Sequence, residues 1–309
     1  MNATAGRTED PLWPRAASLL GKAQSEGSID IALLGVPTYL NSISPTRANE
    51  TPTAIRAALQ KYSTHFAAGA DLASLSWCDF GDIRDPDSEL GELDTTSRVA
   101  ELLTKTGLLI ALGGDNSLTY SVSMGLRRFA PSDQIGLVTL DAHHDLRDGI
   151  SNGSPIRRLI EGGLDPRRIV QIGIADFSNS PHYSKRAKDL GIRVITRTEL
   201  EERPLAEVVS EATSIAGHLF HLDIDVDVCD RSVVPATPAA APGGISAYQL
   251  RLLARLFAQN TGLKSADIAE ISAPDDSPDG RTVRLGALVV LELAAGYRLR
   301  SRGKRIAPN

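Results

Sequence analysis

Short apolar runs alternate along this chain with segments whose apolar residues recur at helical spacing. The runs Ile31–Gly35, Leu108–Leu112, Ile135–Leu140, Ile169–Ile174, Arg193–Ile195, Leu219–Ile224 and Ala266–Ile271 are short and mostly bounded by Gly, Pro or Asp, which predicts buried strands. Helices are predicted near residues 53–62, 94–105, 117–128, 154–162, 182–190, 198–215, 246–259 and 281–296. Thr51-Pro52 reads as a cap followed by proline in the first turn. Ser246 reads as the cap of a helix whose Leu250, Leu253, Ala254 and Phe257 form one apolar stripe. Alternation of this kind predicts an α/β fold: a doubly wound, mostly parallel sheet flanked by helices. No internal repeat or low-complexity linker interrupts it, and Pro235–Gly244 reads as a rigid loop. A single domain over 1–309 is expected, with loose ends at 1–12 and 301–309.

Composition narrows the class. A 42% hydrophobic content supports a large core, and a net charge of −5 gives no general attraction to nucleic acid or anionic membrane. No apolar stretch approaches the length of a membrane span, and residues 1–16 lack the shape of a signal peptide. Two cysteines, Cys78 and Cys229, argue against a disulfide framework and fit a reducing compartment, so a cytoplasmic setting is expected.

The chemistry lies where predicted strands end, which is where open parallel sheets gather ligands. One strand runs into GGDNS (Gly113–Ser117), another into DAHHDLRD (Asp141–Asp148), and a third into DIDVDVCD (Asp223–Asp230). Carboxylates at converging strand ends repel each other and lose hydration unless a cation sits among them. Oxygen ligands with an imidazole suit manganese, whereas a structural zinc would want thiolates. If the strands stay extended, Asp141, His143 and Asp145 share one face, as do Asp225 and Asp227. His144 alternates away and reads as structural; Asp223 and Asp230 fit supporting or solvated positions equally, and His218 and His221 fit packing or the surface.

In this order, the three motifs resemble those of the ureohydrolases, the family of arginase, agmatinase and formimidoylglutamase. LLGVP (33–37), ETPTAIRAAL (50–59) and FGDIRD (80–85) resemble its early signatures, and Glu270 in ADIAEIS matches its late glutamate. The resemblance implies an arginase-like three-layer α/β/α fold and two Mn2+ per chain, with water activated between them. Asp141 and Asp225 would bridge both ions, Asp145 and Asn116 would hold one, and His143 and Asp227 the other. Asp145 and Glu270 would be the catalytic pair, one moving a proton and one positioning the amidine. The family usually has histidine where Asn116 stands. A neutral amide oxygen is a weaker donor to manganese, which predicts a looser ion there. A homo-oligomer, trimer or hexamer, is also implied.

The same resemblance bears on the substrate. Ser178, in GIADFSNS, stands where arginase has an acid for the substrate's ammonium. Arg147 places a cation where a carboxylate would be read. SNGSPIRR (151–158) is similar to the SxGTPFR segment of formimidoylglutamases, with Asn152 in place of arginase's proton-shuttling histidine. Arg147, Asn152, Ser154 and Ser178 are therefore the expected substrate-binding residues, although the last three also suit ordinary polar loops. The expected substrate is a small anionic amidine, N-formimidoyl-L-glutamate, cleaved to L-glutamate and formamide in histidine breakdown. An agmatinase or other guanidino-acid hydrolase, and a catalytically silent assembly or regulatory subunit, are the alternatives.

Overall fold

In a computed structural model, residues 10–21, 28–67, 70–131 and 134–300 are described. Eight parallel strands form the central sheet: β1 (Ile29–Val36), β4 (Trp77–Asp82), β5 (Thr106–Gly113), β6 (Gly136–Leu140), β7 (Ile169–Ile174), β8 (Arg193–Thr196), β9 (Phe220–Ile224) and β10 (Leu263–Ile268). Their order is β4-β1-β5-β10-β9-β6-β7-β8, and β2 (His65–Phe66) pairs with β3 (Ala70–Asp71) apart from it. The runs read as strands lie in this sheet, and β4 was missed. Its sequence, WCDFGD, has no continuous apolar run because an edge strand is only partly buried.

Alternate residues feed two cores. Ile31 and Leu33 of β1 pack with α1 (Thr51–Ala58), α7 (Leu205–Ala216), α8 (Ala247–Gln259) and α9 (Arg281–Arg300). Ala32 and Leu34 face the other way, toward α2 (Glu89–Leu103), α3 (Leu118–Phe129), α4 (Pro155–Glu161) and α5 (Pro181–Leu190). A strand buried on both faces must be apolar throughout, which is why the runs were continuous rather than alternating.

Local rules explain the boundaries. Ser246 caps α8 as expected, its hydroxyl accepting from Gln249 N while Gln249 answers on Ser246 N at 2.8 Å. Thr51 does not cap α1: Glu50 holds the cap position, and the Thr51 hydroxyl donates to the Ile271 carbonyl instead. The helix expected at 198–215 is two, α6 (Arg197–Glu201) and α7, because Pro204 between them cannot continue a helix. β10 stops at Ile268, three residues before the expected end, and Ala269–Ser272 turns into the site. Among the described residues no helix is long and apolar enough to cross a membrane.

Candidate metal centre

The site grows from the carboxyl ends of four adjacent strands, β5, β10, β9 and β6. The chain reaches β6 from β5 by passing over β10 and β9, which opens a crevice at these ends. β6 and β9 are in register through Leu140 and Ile224, so Asp141 and Asp225 leave neighbouring strands side by side. The extended geometry predicted beyond them does not hold. Asp145 is left-handed (φ 52°), and Asp227 sits in a 3-10 turn, Val226–Val228, capped by the Asp225 carboxylate at 2.9 Å from Asp227 N. The acids converge because these turns fold back over the strand ends, not because the strands run on.

Ligand atoms of Asp141, His143 and Asp227 all lie within 4.8 Å of one another. His143 Nδ1 is 2.8 Å from Asp227 Oδ2 and 3.5 Å from Asp141 Oδ1. Asp141 Oδ2 is buried without a hydrogen-bond partner among the described residues. Next to this group, Asn116 donates its side-chain amide to Asp145 Oδ2 at 2.7 Å, while its oxygen accepts from the Thr119 hydroxyl at 2.9 Å. Glu270, also left-handed (φ 64°), accepts at Oε1 from Asn116 N (2.7 Å) and from the Asn152 amide (2.9 Å).

Burial dominates the electrostatics. It drives Asp141 and Asp225 well above the usual carboxylate range, reinforced by the neighbouring acids, and lifts Asp145 to about 7 and Glu270 to about 8. Burial alone would lower His143, but Asp227 and Asp141 outweigh it and raise the imidazole to about 12. Five buried or nearly buried acids thus face one imidazole. A hard divalent cation would relieve this imbalance, and the donor set, carboxylates plus one imidazole with an orphaned Asp141 oxygen, fits such an ion.

A cavity of about 200 Å3 opens onto this cluster, its wall including Arg147, Asn152, Ser178, Tyr183 and Glu270, with Ile43 and Ser44 above. Gly153 makes part of the wall possible: a Cβ there would sit 2.9 Å from Arg147 Cδ and 3.2 Å from Ile43 Cδ1.

A sequence profile described as "Arginase family" matches residues 29–296. The chain belongs to the arginase family. It is therefore a hydrolase of C–N bonds in linear amidines. It is 34% identical, over 88% of both chains, to the formimidoylglutamase of Halalkalibacterium halodurans. The crystal structure of Bacillus subtilis formimidoylglutamase matches with a TM-score of 0.88 and 28% identity, covering 97% of this chain and 96% of that one. A Trypanosoma cruzi formiminoglutamase structure with Mn2+ shares the fold, with a TM-score of 0.86 at 22% identity over 93% of this chain and 99% of that one.

Within this arginase-family site, the six expected ligand residues Asn116, Asp141, His143, Asp145, Asp225 and Asp227 lie around one crevice, and Asn116 is turned to donate rather than to ligate. Arg147 and Ser178 line the cavity, as does Asn152, whose amide is engaged with Glu270. Ser154 does not: it is fully buried, closing a turn through Ser151 N and O at 2.9 Å each. Its hydroxyl serves the backbone ahead of α4, a role typical of serine before a helix. His144 is pinned by Gln171 (2.7 Å) and Ser184 (3.2 Å). Sequence reasoning passed over Asn179, whose side chain accepts from His144 N (3.0 Å) and donates to Ala142 O (2.9 Å), fixing the DAHHD backbone. It stands beside Ser178 in a segment read only for the missing acid. The roof residues Ile43 and Ser44 carried no signal, lying in the loop between LLGVP (33–37) and ETPTAIRAAL (50–59) and belonging to neither.

Proposed function

We propose that this chain hydrolyses N-formimidoyl-L-glutamate to L-glutamate and formamide, using two Mn2+ per chain. The observation that carries the substrate is Arg147: it lines the cavity beside the acid–imidazole cluster, and among the described residues its guanidinium has no acidic partner. An unpaired cation at the mouth and a buried glutamate at depth suit a molecule with a carboxylate at one end and an amidinium at the other. Ser178, neutral, offers a free ammonium no counter-charge.

Asp141, His143, Asp225, Asp227 and Asp145 would hold the ions, and Asn116 would join them by turning its amide oxygen from Thr119 toward the ion beside Asp145. Bound there, such ions supply water acidified toward neutral pH and charge to steady the tetrahedral carbon. Glu270, anchored through Oε1, keeps its other oxygen for the amidinium nitrogens. Asp145, with one oxygen tied to Asn116, takes the proton of the attacking water and delivers it to the departing nitrogen. The C–N bond breaks as that proton arrives, which gives glutamate and formamide in balance.

The test is turnover of formimidoyl-glutamate, agmatine, arginine and monocarboxylate guanidino acids with added Mn2+. Preference for agmatine removes the anionic-substrate reading and leaves the reaction class. One observation favours a second reading: Arg147 is the only arginine or lysine in the cavity wall among the described residues. A single carboxylate is all it pairs well, so a guanidino acid with one carboxylate is the competitor. A silent subunit is separated by metal content per chain and activity after Mn2+ loading. The cytoplasmic homo-oligomer, trimer or hexamer, belongs to the same proposal, and light scattering decides its number.

A further inference from the structure

The cavity roof is a loop with few apolar anchors. Tyr39, Leu40 and Ile43 are exposed, and the segment is held by polar bonds. The Asp87 carboxylate accepts from Tyr39 N at 3.1 Å and Leu40 N at 3.2 Å, securing its near end. Its far end rests on Asn152. Asn152 N donates to Asn41 O at 3.0 Å, and Asn152 Oδ1 accepts from Ile43 N at 3.0 Å. The other half of the same amide, Nδ2, donates to Glu270 Oε1 at 2.9 Å.

The two partners fix the amide's orientation. A backbone N–H only donates, so Oδ1 must face Ile43. Oε1 already accepts from Asn116 N, so the Asn152 nitrogen faces the carboxylate. One planar group thus spans residues 43 and 270. We infer that Asn152 is a positioning residue: it fastens the roof segment to the Glu270 carboxylate, so closure of the cavity and the aim of Glu270 are set together. An amide suits the task because it carries a donor and an acceptor at every working pH. Aspartate would lose the donor and alanine both. The inference rests on the proposed role of Glu270 toward the amidine, but the coupling itself does not.

Coupling through a shared group is reciprocal, so it can be read from either end. Hydrogen exchange is followed at the Ile43 amide in the full chain and in the Asn152→Ala and Glu270→Ala variants. Exchange is expected to speed about tenfold in both, because loss of the Glu270 carboxylate frees the Asn152 amide to rotate away from the roof. In Asn152→Ala, kcat/KM for formimidoyl-glutamate is expected to fall about tenfold, carried by KM, with bound Mn2+ unchanged by elemental analysis. Unchanged exchange at Ile43 in Glu270→Ala overturns the inference. So does a kcat/KM loss in Asn152→Ala that tracks lost metal. If the native chain turns over no substrate in the panel, the substrate reading fails while the exchange result still decides the coupling.

Discussion

Two layers of buried acid lie one behind the other at the carboxyl ends of β6, β9 and β10, and the outer one opens to the cavity while the inner one does not line it. The outer layer is the cluster of Asp141, Asp145, Asp225, Asp227 and Glu270, with the His143 imidazole among them. The inner layer is one step down the strands. Thr139 of β6 pairs with Asp223 of β9, with Asp267 on β10, and His221 is bound to Asp267 Oδ2 at 2.9 Å and to Ser265 at 2.8 Å. His221, Asp223 and Asp267 are all fully buried. Burial and the neighbouring Asp267 carboxylate push Asp223 well above the usual range. The inner layer lines no part of that cavity: its one imidazole is bonded to Asp267, and both Asp223 oxygens are buried without a hydrogen-bond partner among the described residues, whereas the outer layer opens to the cavity and sets five acids around one imidazole. The same residue types therefore make packing in one place and a demand for external cations in the other.

Removing an outer acid should produce the largest effect. Asp225→Asn is expected to abolish Mn2+ retention and turnover together, by more than about a hundredfold in affinity, since losing even a supporting partner costs ~10–100-fold. Elemental analysis and kinetics read it, and retained metal with full activity breaks the contrast. An inner change should cost stability and spare the metal. His221→Ala leaves Asp267 buried without its partner and should lower unfolding free energy by about 3 kcal/mol in denaturant titration, with the metal count unaltered. If metal is lost and stability is not, the two layers are one site. A smaller effect is expected of Asn116→His, which should tighten Mn2+ on the order of tenfold, ~1.4 kcal/mol, measured by competition with a chelator.

The smallest effect comes from an acid in neither layer. Asp230 is held at about 2 by the Ser232 hydroxyl and by Ser232 and Gly243 N–H groups. A folded pKa below the ordinary 3.8 stabilises fully above that value, and the gain is lost as pH falls toward 2. Denaturant melts between pH 5 and 2 should therefore fall less for Asp230→Asn than for the native chain.

The outer half of this contrast was legible in the sequence, the inner half was not, and the gap has physical causes. The interior strands announce themselves because burial on both faces demands unbroken apolar runs, and Asp141 and Asp225 announce themselves because they follow directly on those runs. Strand periodicity, however, carries no information about backbone past the sheet edge, so the turns at Asp145 and Asp227 were read as extended chain. The edge strand β4 lacked the interior signal, and Pro204 was overlooked inside an otherwise helical stretch. His221 was unreadable as half of a buried pair because its partners, Ser265 and Asp267, lie on another strand 44 and 46 residues away. Asn152 was legible as a departure from a pattern but not as a tie between loop and glutamate, since Ile43 belongs to no motif.

The left-handed backbones of Asp145 and Glu270 have a consequence for how this chain responds to selection. Each holds a side chain in a conformation that costs an L-residue on the order of 1–3 kcal/mol. Glycine relaxes there without penalty. A screen that rewards heat tolerance alone should therefore drift toward glycine at these positions, and its winners should be durable proteins that no longer process an amidine.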